Sequence, residues 1–244
     1  MKEITSINNE FIKECAKLKD KKYRDESGKF LVEGYHLIEM ASDYLETIFI
    51  TDKKDYGKIK DVTYYLVTNE IIKKIAQTMN SQGIVGVCKK KNEKEISLDN
   101  VLMLDNLQDP GNVGTLIRSA LAFNIKDIVL SNDTVDIYND KVIRSSQGAI
   151  FKVNIIYRDL FDEIKLLQNK GYKVFGTALN NAKKLSDIKF SNKNVIVLGN
   201  EGAGIKEDIL KITNENIFLE MNKEINSLNV GVAGSILMYE LSKK

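Results

Sequence analysis

The sequence predicts a two-domain α/β protein whose second domain is built on a largely parallel sheet. Three observations carry that fold class. Short β-rich runs alternate with helically spaced segments along almost the whole chain. One stretch without an apolar residue, Lys89-Lys90-Lys91-Asn92-Glu93-Lys94-Glu95, interrupts the alternation. The length of 244 residues suits one large or two modest domains, either able to bury a core. The linker places the domains at 1–92 and 93–244.

In the first domain, Ile7, Phe11, Ile12, Cys15 and Leu18 fall at helical spacing within residues 6–20. Phe30–Glu33 reads as a short strand turning at Gly34, and Tyr35–Tyr44 as a helix. Leu45–Ile50 and Tyr64–Val67 read as strands, Asn69–Gln77 as a helix opened by Asn69, and Gly83–Lys89 as a strand. In the second domain, strand Val101–Leu104 leads through a loop into helix Gly114–Phe123, followed by strand Asp127–Leu130. Tyr138–Ser146 is helical, Val153–Tyr157 a strand and Leu160–Asn169 a helix. Strands at Lys173–Thr177, Val195–Leu198 and Ile217–Leu219 follow, with a short helix Glu207–Ile212 between the last two. A closing helix runs from Leu228 to Leu241. Strands separated by helices imply parallel pairing with both faces covered, and ligands bind beyond the carboxyl ends of such strands.

Composition narrows the classes. Lys and Arg total 36 against 34 Asp and Glu, so net charge alone points to no polyanion partner. Residues 13–29 carry seven cations against four anions, which charge alone reads as a solvated helix face. Cys15 and Cys88 lie far apart and the N-terminus lacks an apolar signal core, so a reducing, cytoplasmic location is expected. No apolar run reaches spanning length, so no membrane partner is expected. His36 is the only histidine; a histidine-clustered metal site or a Ser-His-Asp triad would have to be built around it alone. No metal is expected.

Three loops at predicted strand ends carry unusual residues. In Leu104–Ala120, Pro110-Gly111 makes a tight turn, Asn112 or Gly114 opens the helix, and Arg118 follows about one turn inside it. Taken alone, this is an ordinary strand–helix connection with a surface cation. It lacks the Gly-Lys-Ser/Thr of a phosphate loop and the full G-x-G-x-x-G spacing. The second loop, Leu198-Gly199-Asn200-Glu201-Gly202-Ala203-Gly204, ends an apolar strand with three glycines in six residues. A plain turn needs one glycine; three let the backbone take positive φ or sit against a ligand. The third is Ser227-Leu228-Asn229, at the mouth of the closing helix. Ser227 is the expected N-cap, with Asn229 in the first turn among unpaired backbone N–H groups. Gly231, Ala233 and Gly234 lower helix propensity there, as expected where a backbone or flat ligand must come close.

Together, Asn112…Arg118, Leu198–Gly204 and Ser227-Leu228-Asn229-Val230 resemble the three signature motifs of the SpoU (TrmH-like) branch of SPOUT RNA 2′-O-ribose methyltransferases. Arg24–Gly34 and Gln82–Val87 are similar to the substrate-binding domain of many members, and Ser145–Phe151 to the segment between the first two motifs. The resemblance covers nearly the whole chain. It implies a small N-terminal α/β RNA-binding domain and a C-terminal α/β trefoil-knot (SPOUT) domain, one of the rare exceptions to unknotted topology. It also implies a homodimer formed through the C-terminal domain, with S-adenosyl-L-methionine as cofactor.

Residue by residue, the resemblance places Thr177, Ala178, Leu198, Gly199, Asn200, Gly202, Leu219, Met221, Ser227 and Leu228 around the cofactor. Arg118, Asn112, Glu201, Ser227 and Asn229 form the implied catalytic set. Lys21, Lys22, Arg24, Arg118 and Arg144 form the implied RNA contacts. The two-domain layout is more similar to members acting on ribosomal RNA than to the tRNA branch. Two positions depart from the family pattern: Leu219-Glu220-Met221 stands in place of Ile-Pro-Met, and Asn154 where proline is common. A guanidinium with pKa above about 12 suits phosphate forking and alkoxide stabilisation better than proton abstraction, although family proposals make the arginine the base.

Two other classes compete. A non-catalytic RNA-binding factor on the same scaffold has no use for Arg118, Glu201 and Asn229. A nucleotide-binding oxidoreductase would need the missing G-x-G-x-x-G, early in the chain.

Overall fold

The computed structural model describes residues 1–97, 99–222, 224, 225 and 227–243. The chain packs as two compact units. The first is Met1–Asn92 with Tyr138–Phe151, the second Glu93–Ile137 with Lys152–Lys244. The segment Tyr138–Phe151 therefore packs in the first unit although it lies within 93–244 in sequence.

The first unit begins with β1 (Lys2–Ile4), α1 (Glu10–Lys17) and α2 (Lys21–Ser27), then β2 (Lys29–Glu33), α3 (Tyr35–Met40) and β3 (Leu45–Ile50). β4 (Thr63–Val67), α4 (Asn69–Ile75) and β5 (Ile84–Lys89) complete its main run. The sheet order is β1-β4-β3-β5-β2, with β1, β4 and β3 parallel and β5 antiparallel to both β3 and β2. The carboxyl ends of β2, β3 and β4 therefore share one edge with the start of β5.

Asn9 opens α1, its Oδ1 accepting from the amides of Phe11 and Ile12. Two elements were not predicted. β1 is a three-residue edge strand, Lys-Glu-Ile, with no apolar alternation to reveal it. α2, of sequence KKYRDES, has no apolar face; it ends at Gly28, whose φ of 66° terminates the helix.

Strand alternation divides this core. Leu31, Phe49, Val85 and Val87 pack with Ile12, Cys15 and Leu18 and with Ile71, Ile72 and Ile75. Phe30 lies 4.5 Å from the ring of Tyr138 and 6.3 Å from that of Phe151. Those rings belong to the segment around α6 (Asp140–Ser145). Gly148, at φ 84°, has no room for a Cβ against Met40, which fixes the close approach of that segment.

The second unit contains β6 (Val101–Leu104), α5 (Pro110–Ala122), β7 (Asp127–Leu130), β8 (Asn154–Tyr157), α7 (Leu160–Asn169) and β9 (Lys173–Thr177). β10 (Lys183–Lys184), β11 (Asn194–Leu198), α8 (Glu207–Ile212), β12 (Glu215–Phe218) and α9 (Val230–Ser242) follow. The two-residue β10 is too short to leave a sequence signal. The seven strands run β10-β12-β9-β11-β6-β7-β8, and every neighbouring pair is parallel. The predicted parallel sheet is thus observed.

Val101, Met103, Val195 and Val197 face Leu160, Ile164 and Leu167 of α7 and Ile209 of α8. The alternate residues face α5 and α9. A Cβ on Gly234 would overlap Leu116 of α5 and Leu198 of β11. The small residues of α9 thus admit a neighbouring helix and strand. Ser119 and Ser235 share a 2.7 Å hydroxyl hydrogen bond along the same seam, and the rings of Phe123 and Tyr239 lie 5.7 Å apart.

Both helices beside the unusual loops start elsewhere than expected. Asp109 caps α5, its Oδ1 accepting from Asn112 N at 2.9 Å with Pro110 in the first turn. Neither Asn112 nor Gly114 is the cap, and Arg118 stands about two turns inside the helix rather than one. Asn229, not Ser227, caps α9: its Oδ1 accepts from Gly231 N at 2.9 Å and Val232 N at 3.3 Å. Ser227 lies in exposed chain before the cap.

Candidate active site

The parallel sheet fixes where the three loops go. β6, β9, β11 and β12 are contiguous in the sheet, so Leu104, Thr177, Leu198 and Phe218 end on one edge. From that edge the residues of the first two loops meet. Glu201 accepts at Oε2 from Gln108 N (3.4 Å) and at Oε1 from Asp109 N (3.3 Å) and Asn112 Nδ2 (3.1 Å). Asn229 Nδ2 donates to Asn112 Oδ1 at 2.9 Å, which adds the mouth of α9. One chain of side chains, Glu201–Asn112–Asn229, thus joins all three loops.

Asn200 organises the glycine loop. Its Oδ1 accepts from Gly202 N and Ala203 N, its Nδ2 donates to Asn106 O at 2.8 Å, and its backbone pairs with that of Gly204. A Cβ on Gly199 would overlap the Gly204 carbonyl carbon and the Ile205 amide nitrogen. Glycine at 199 therefore serves a backbone-on-backbone approach. Gly202 is open, with only Asn200 Oδ1 at 3.6 Å from a Cβ built there. Thr177 hydrogen-bonds to Val197 O through Oγ1, and Ala178 N donates to Ile217 O at 3.1 Å. Thr177, Ala178 and Leu219, at or just past the ends of β9 and β12, are half-buried, as are Met221 and Leu228. Leu198 and Gly199, at the end of β11, are buried.

Electrostatics favour an ionised Glu201. Partial burial opposes its charge, but the Asn112 amide and the backbone donors outweigh it and hold the carboxyl below its usual range. A carboxylate so occupied is a structural acceptor and a poor proton acceptor.

Arg118 does not join this cluster. It is exposed on α5 beside the line Thr115–Ser119–Phe123 that meets α9, with no hydrogen bond or ion pair to another described residue. The side chain that donates to Glu201 is Asn112.

The implied RNA residues separate. Lys21 and Lys22 are exposed. Arg24 is only 4% exposed and donates through Nη1 to the carbonyls of Leu18 (2.9 Å) and Lys19 (2.6 Å). Those bonds fasten α2 to the end of α1 and leave no guanidinium to fork a phosphate, which corrects the expectation for Arg24. Arg144 is exposed on α6 and pairs with Asp140 at 2.7 Å.

Sequence reasoning missed Asp105. Wholly buried, it brackets the glycine loop, its N–H donating to Leu198 O and its Oδ2 accepting from Lys206 N at 2.9 Å. Its Oδ1 has no hydrogen-bond donor among the described residues, and Lys206 Nζ stands 3.8 Å away. An aspartate directly after an apolar strand was the available signal. Asp109 was legible too, since Asp-Pro-Gly is a helix-start pattern. Among the described residues no group of three or more His, Cys, Asp or Glu could hold a metal ion, and no helix is long and apolar enough to cross a membrane.

Residues 99–239 match the SpoU rRNA Methylase family, and residues 9–86 match the MRM3-like substrate binding domain. The chain belongs to the SpoU rRNA methylase family. It is 35% identical to the 23S rRNA (guanosine(2553)-2′-O)-methyltransferase RlmP of Bacillus subtilis, over 99% of each chain. The AdoMet-bound rRNA methyltransferase of Sinorhizobium meliloti superposes with TM-score 0.91 at 26% identity, over 99% of this chain and 97% of that one. The SpoU methyltransferase AviRb of Streptomyces viridochromogenes shares the fold, with TM-score 0.86 at 20% identity over 97% and 98%. The second unit thus has the SPOUT fold that the motifs implied.

Proposed function

We propose that this chain transfers a methyl group from S-adenosylmethionine to a ribose 2′-hydroxyl of ribosomal RNA. The observation that carries the reading is the Glu201–Asn112–Asn229 chain, which ties the three family loops together at the carboxyl edge of the parallel sheet. The full-length similarity to a 23S rRNA 2′-O-methyltransferase supports the substrate class.

The residues present fit the cofactor. The glycine backbone at Gly199 and Gly202, the half-buried Thr177, Ala178, Leu219, Met221 and Leu228, and the loop ordered by Asn200 are the groups that would hold it, through apolar contact and backbone carbonyls. S-adenosylmethionine supplies an electrophilic methyl on a sulfonium. Ser227, exposed two residues before the α9 cap, belongs to the same reading as a cofactor and catalytic residue.

Asn112 and Asn229 orient the hydroxyl, and Glu201 holds Asn112. Arg118, which stands outside this cluster in its own chain, is the group assigned to fork the phosphate next to the target ribose and to stabilise the oxygen as its proton passes to solvent water. Holding nucleophile and methyl in line supplies much of the acceleration. Lys21, Lys22 and Arg144 remain available for RNA phosphates.

The same reading includes a homodimer through the second unit. Val232, Ile236 and Tyr239 of α9 are 48%, 37% and 49% exposed at i, i+4 and i+7 spacing. An apolar stripe on a helix whose other face is already buried by Leu237, Met238 and Leu241 fits a second copy. Arg118 lies beside that stripe, on the neighbouring helix.

Incubation with labelled S-adenosylmethionine and ribosomal RNA tests the function. Wild type transfers label, while Arg118→Ala binds cofactor and loses turnover by about a hundredfold or more. Undiminished turnover in Arg118→Ala removes that residue from the chemistry.

A further inference from the structure

The loops at one end of the first unit's sheet form a hydrogen-bonded, cation-fringed platform that the site above does not use. Four contacts assemble it. Glu33, closing β2, accepts from the amides of Gln77 (2.8 Å) and Thr78 (3.1 Å) and from the Thr78 hydroxyl. Gln82 Oε1 accepts from Tyr35 N at 3.1 Å, against Gly34 at φ 91°. Thr51, just past β3, donates its amide to Gly83 O at 3.1 Å. Buried Asp55 accepts from Tyr35 OH at 2.8 Å and from Lys58 Nζ at 2.6 Å.

What this frame presents outward is unusual. Of the five large apolar or aromatic side chains that stand exposed in the first unit, three lie here: Tyr35 at the start of α3, and Tyr56 and Met79 on the loops, at 39%, 52% and 97% exposure. Tyr56 packs against Tyr64 as a T-shaped pair, with centroids 5.2 Å apart, and about half of it still faces solvent. Lys53, Lys54, Lys58 and Lys60 are exposed along the same segment, with Lys54 paired to Asp52 at 2.9 Å and Lys58 Nζ 5.3 Å from the Tyr35 ring centroid. Exposed rings on a hydrogen-bonded frame beside lysines suit unpaired nucleotides, because every base has a π-face and every phosphate a charge.

We propose that this platform binds an unpaired stretch of the RNA substrate, with Tyr56 and Tyr35 stacking bases and Lys53 and Lys54 meeting phosphates. The inference rests on the RNA methyltransferase reading and locates substrate recognition within the matched substrate-binding region. The platform stands apart from the α2 lysines, where burial of Arg24 leaves only Lys21 and Lys22 to act.

The test uses the full chain and protein-free 23S rRNA. Filter binding without cofactor gives the RNA Kd and its salt dependence; methyl transfer gives KM and kcat; cofactor titration checks the second unit. Tyr56→Ala should weaken RNA binding at least about fivefold and raise the RNA KM in step, with kcat and cofactor affinity unchanged. Tyr56→Phe, which keeps the ring, should restore both. Lys53→Ala with Lys54→Ala should flatten the log–log salt slope by about 1.4, the value for two single-strand phosphates. Competition by an unstructured oligoribonucleotide, but not by an RNA duplex, is also expected.

Unchanged Kd, KM and salt slope in both variants would overturn the proposal, as would loss of binding in Tyr56→Phe equal to that in Tyr56→Ala or competition by duplex alone. If wild type binds RNA yet transfers no methyl to it, the methyltransferase reading fails and the Kd comparison still decides the platform.

Discussion

Asn229 Nδ2 lies 2.9 Å from Asn112 Oδ1, joining two side chains that are 117 positions apart in the chain. Each asparagine works at both ends. Asn229 caps α9 with its oxygen and spends its amide on Asn112; Asn112 passes the link to Glu201 with its own amide. Asn229→Ala should therefore cost about 1 kcal/mol for the cap and lower kcat more than that loss of stability explains. Asn229→Asp keeps the cap but not the donor. Chemical denaturation beside turnover separates the two roles: Asn229→Asp should fold like wild type and turn over like Asn229→Ala.

Glu201 makes the loop junction depend on pH. Burial raises its carboxyl pKa, but the Asn112 amide and backbone donors lower it further, so the folded value lies below the unfolded one. A depressed acid stabilises the fold above its unfolded pKa and loses that contribution as pH falls through the folded value. Thermal unfolding of wild type should therefore weaken between about pH 5 and pH 3 more steeply than that of Glu201→Gln. Equal slopes would mean that Glu201 carries no such charge-linked contact.

Gly199 and Gly202 make a paired test of the loop. A methyl at 199 collides with the backbone of Gly204 and Ile205, whereas one at 202 meets only Asn200 Oδ1 at van der Waals distance. Gly199→Ala should reduce S-adenosylmethionine affinity about tenfold or more, while Gly202→Ala stays within a few-fold of wild type. Calorimetric titration of both variants checks this. Similar affinities would show that the close approach does not shape the cofactor site.

Arg24→Ala should destabilise the first unit by about 1–3 kcal/mol, since it leaves the Leu18 and Lys19 carbonyls without their donor. The slope of RNA affinity against salt should not change, because the guanidinium does not face solvent. A flattened slope in Arg24→Ala would return the residue to the RNA surface.

Ile236→Glu places a charge in the apolar stripe of α9. Sedimentation should show a dimer for wild type and a monomer for the variant, with cofactor still bound. A wild-type monomer would remove the proposed self-association.

Much of this site was legible because its chemistry lies in local patterns. Three glycines around Asn200 and Glu201, and polar residues at a helix mouth, announce themselves in one dimension. Helix starts were harder to read. Ser227 and Asn229 are both good caps, and the choice depends on Asn229 reaching Asn112, a contact that no local window contains. Arg24 reads as a surface cation among lysines until the end of α1 folds back over it. Asp105 was missed because its partners, Leu198 O and Lys206 N, flank a different loop. Tyr138–Phe151 looked like part of the second domain by position, but Tyr138 and Phe151 complete the aromatic core around Phe30.

The central claim concerns the atom that receives the methyl. Ribosomal RNA treated with this protein and S-adenosylmethionine can be hydrolysed by alkali, which cleaves at every ribose except one carrying a 2′-O-methyl group. The account predicts one new alkali-resistant dinucleotide step carrying the label, absent with Arg118→Ala. Label recovered on a base, with every phosphodiester still cleaved, would contradict it.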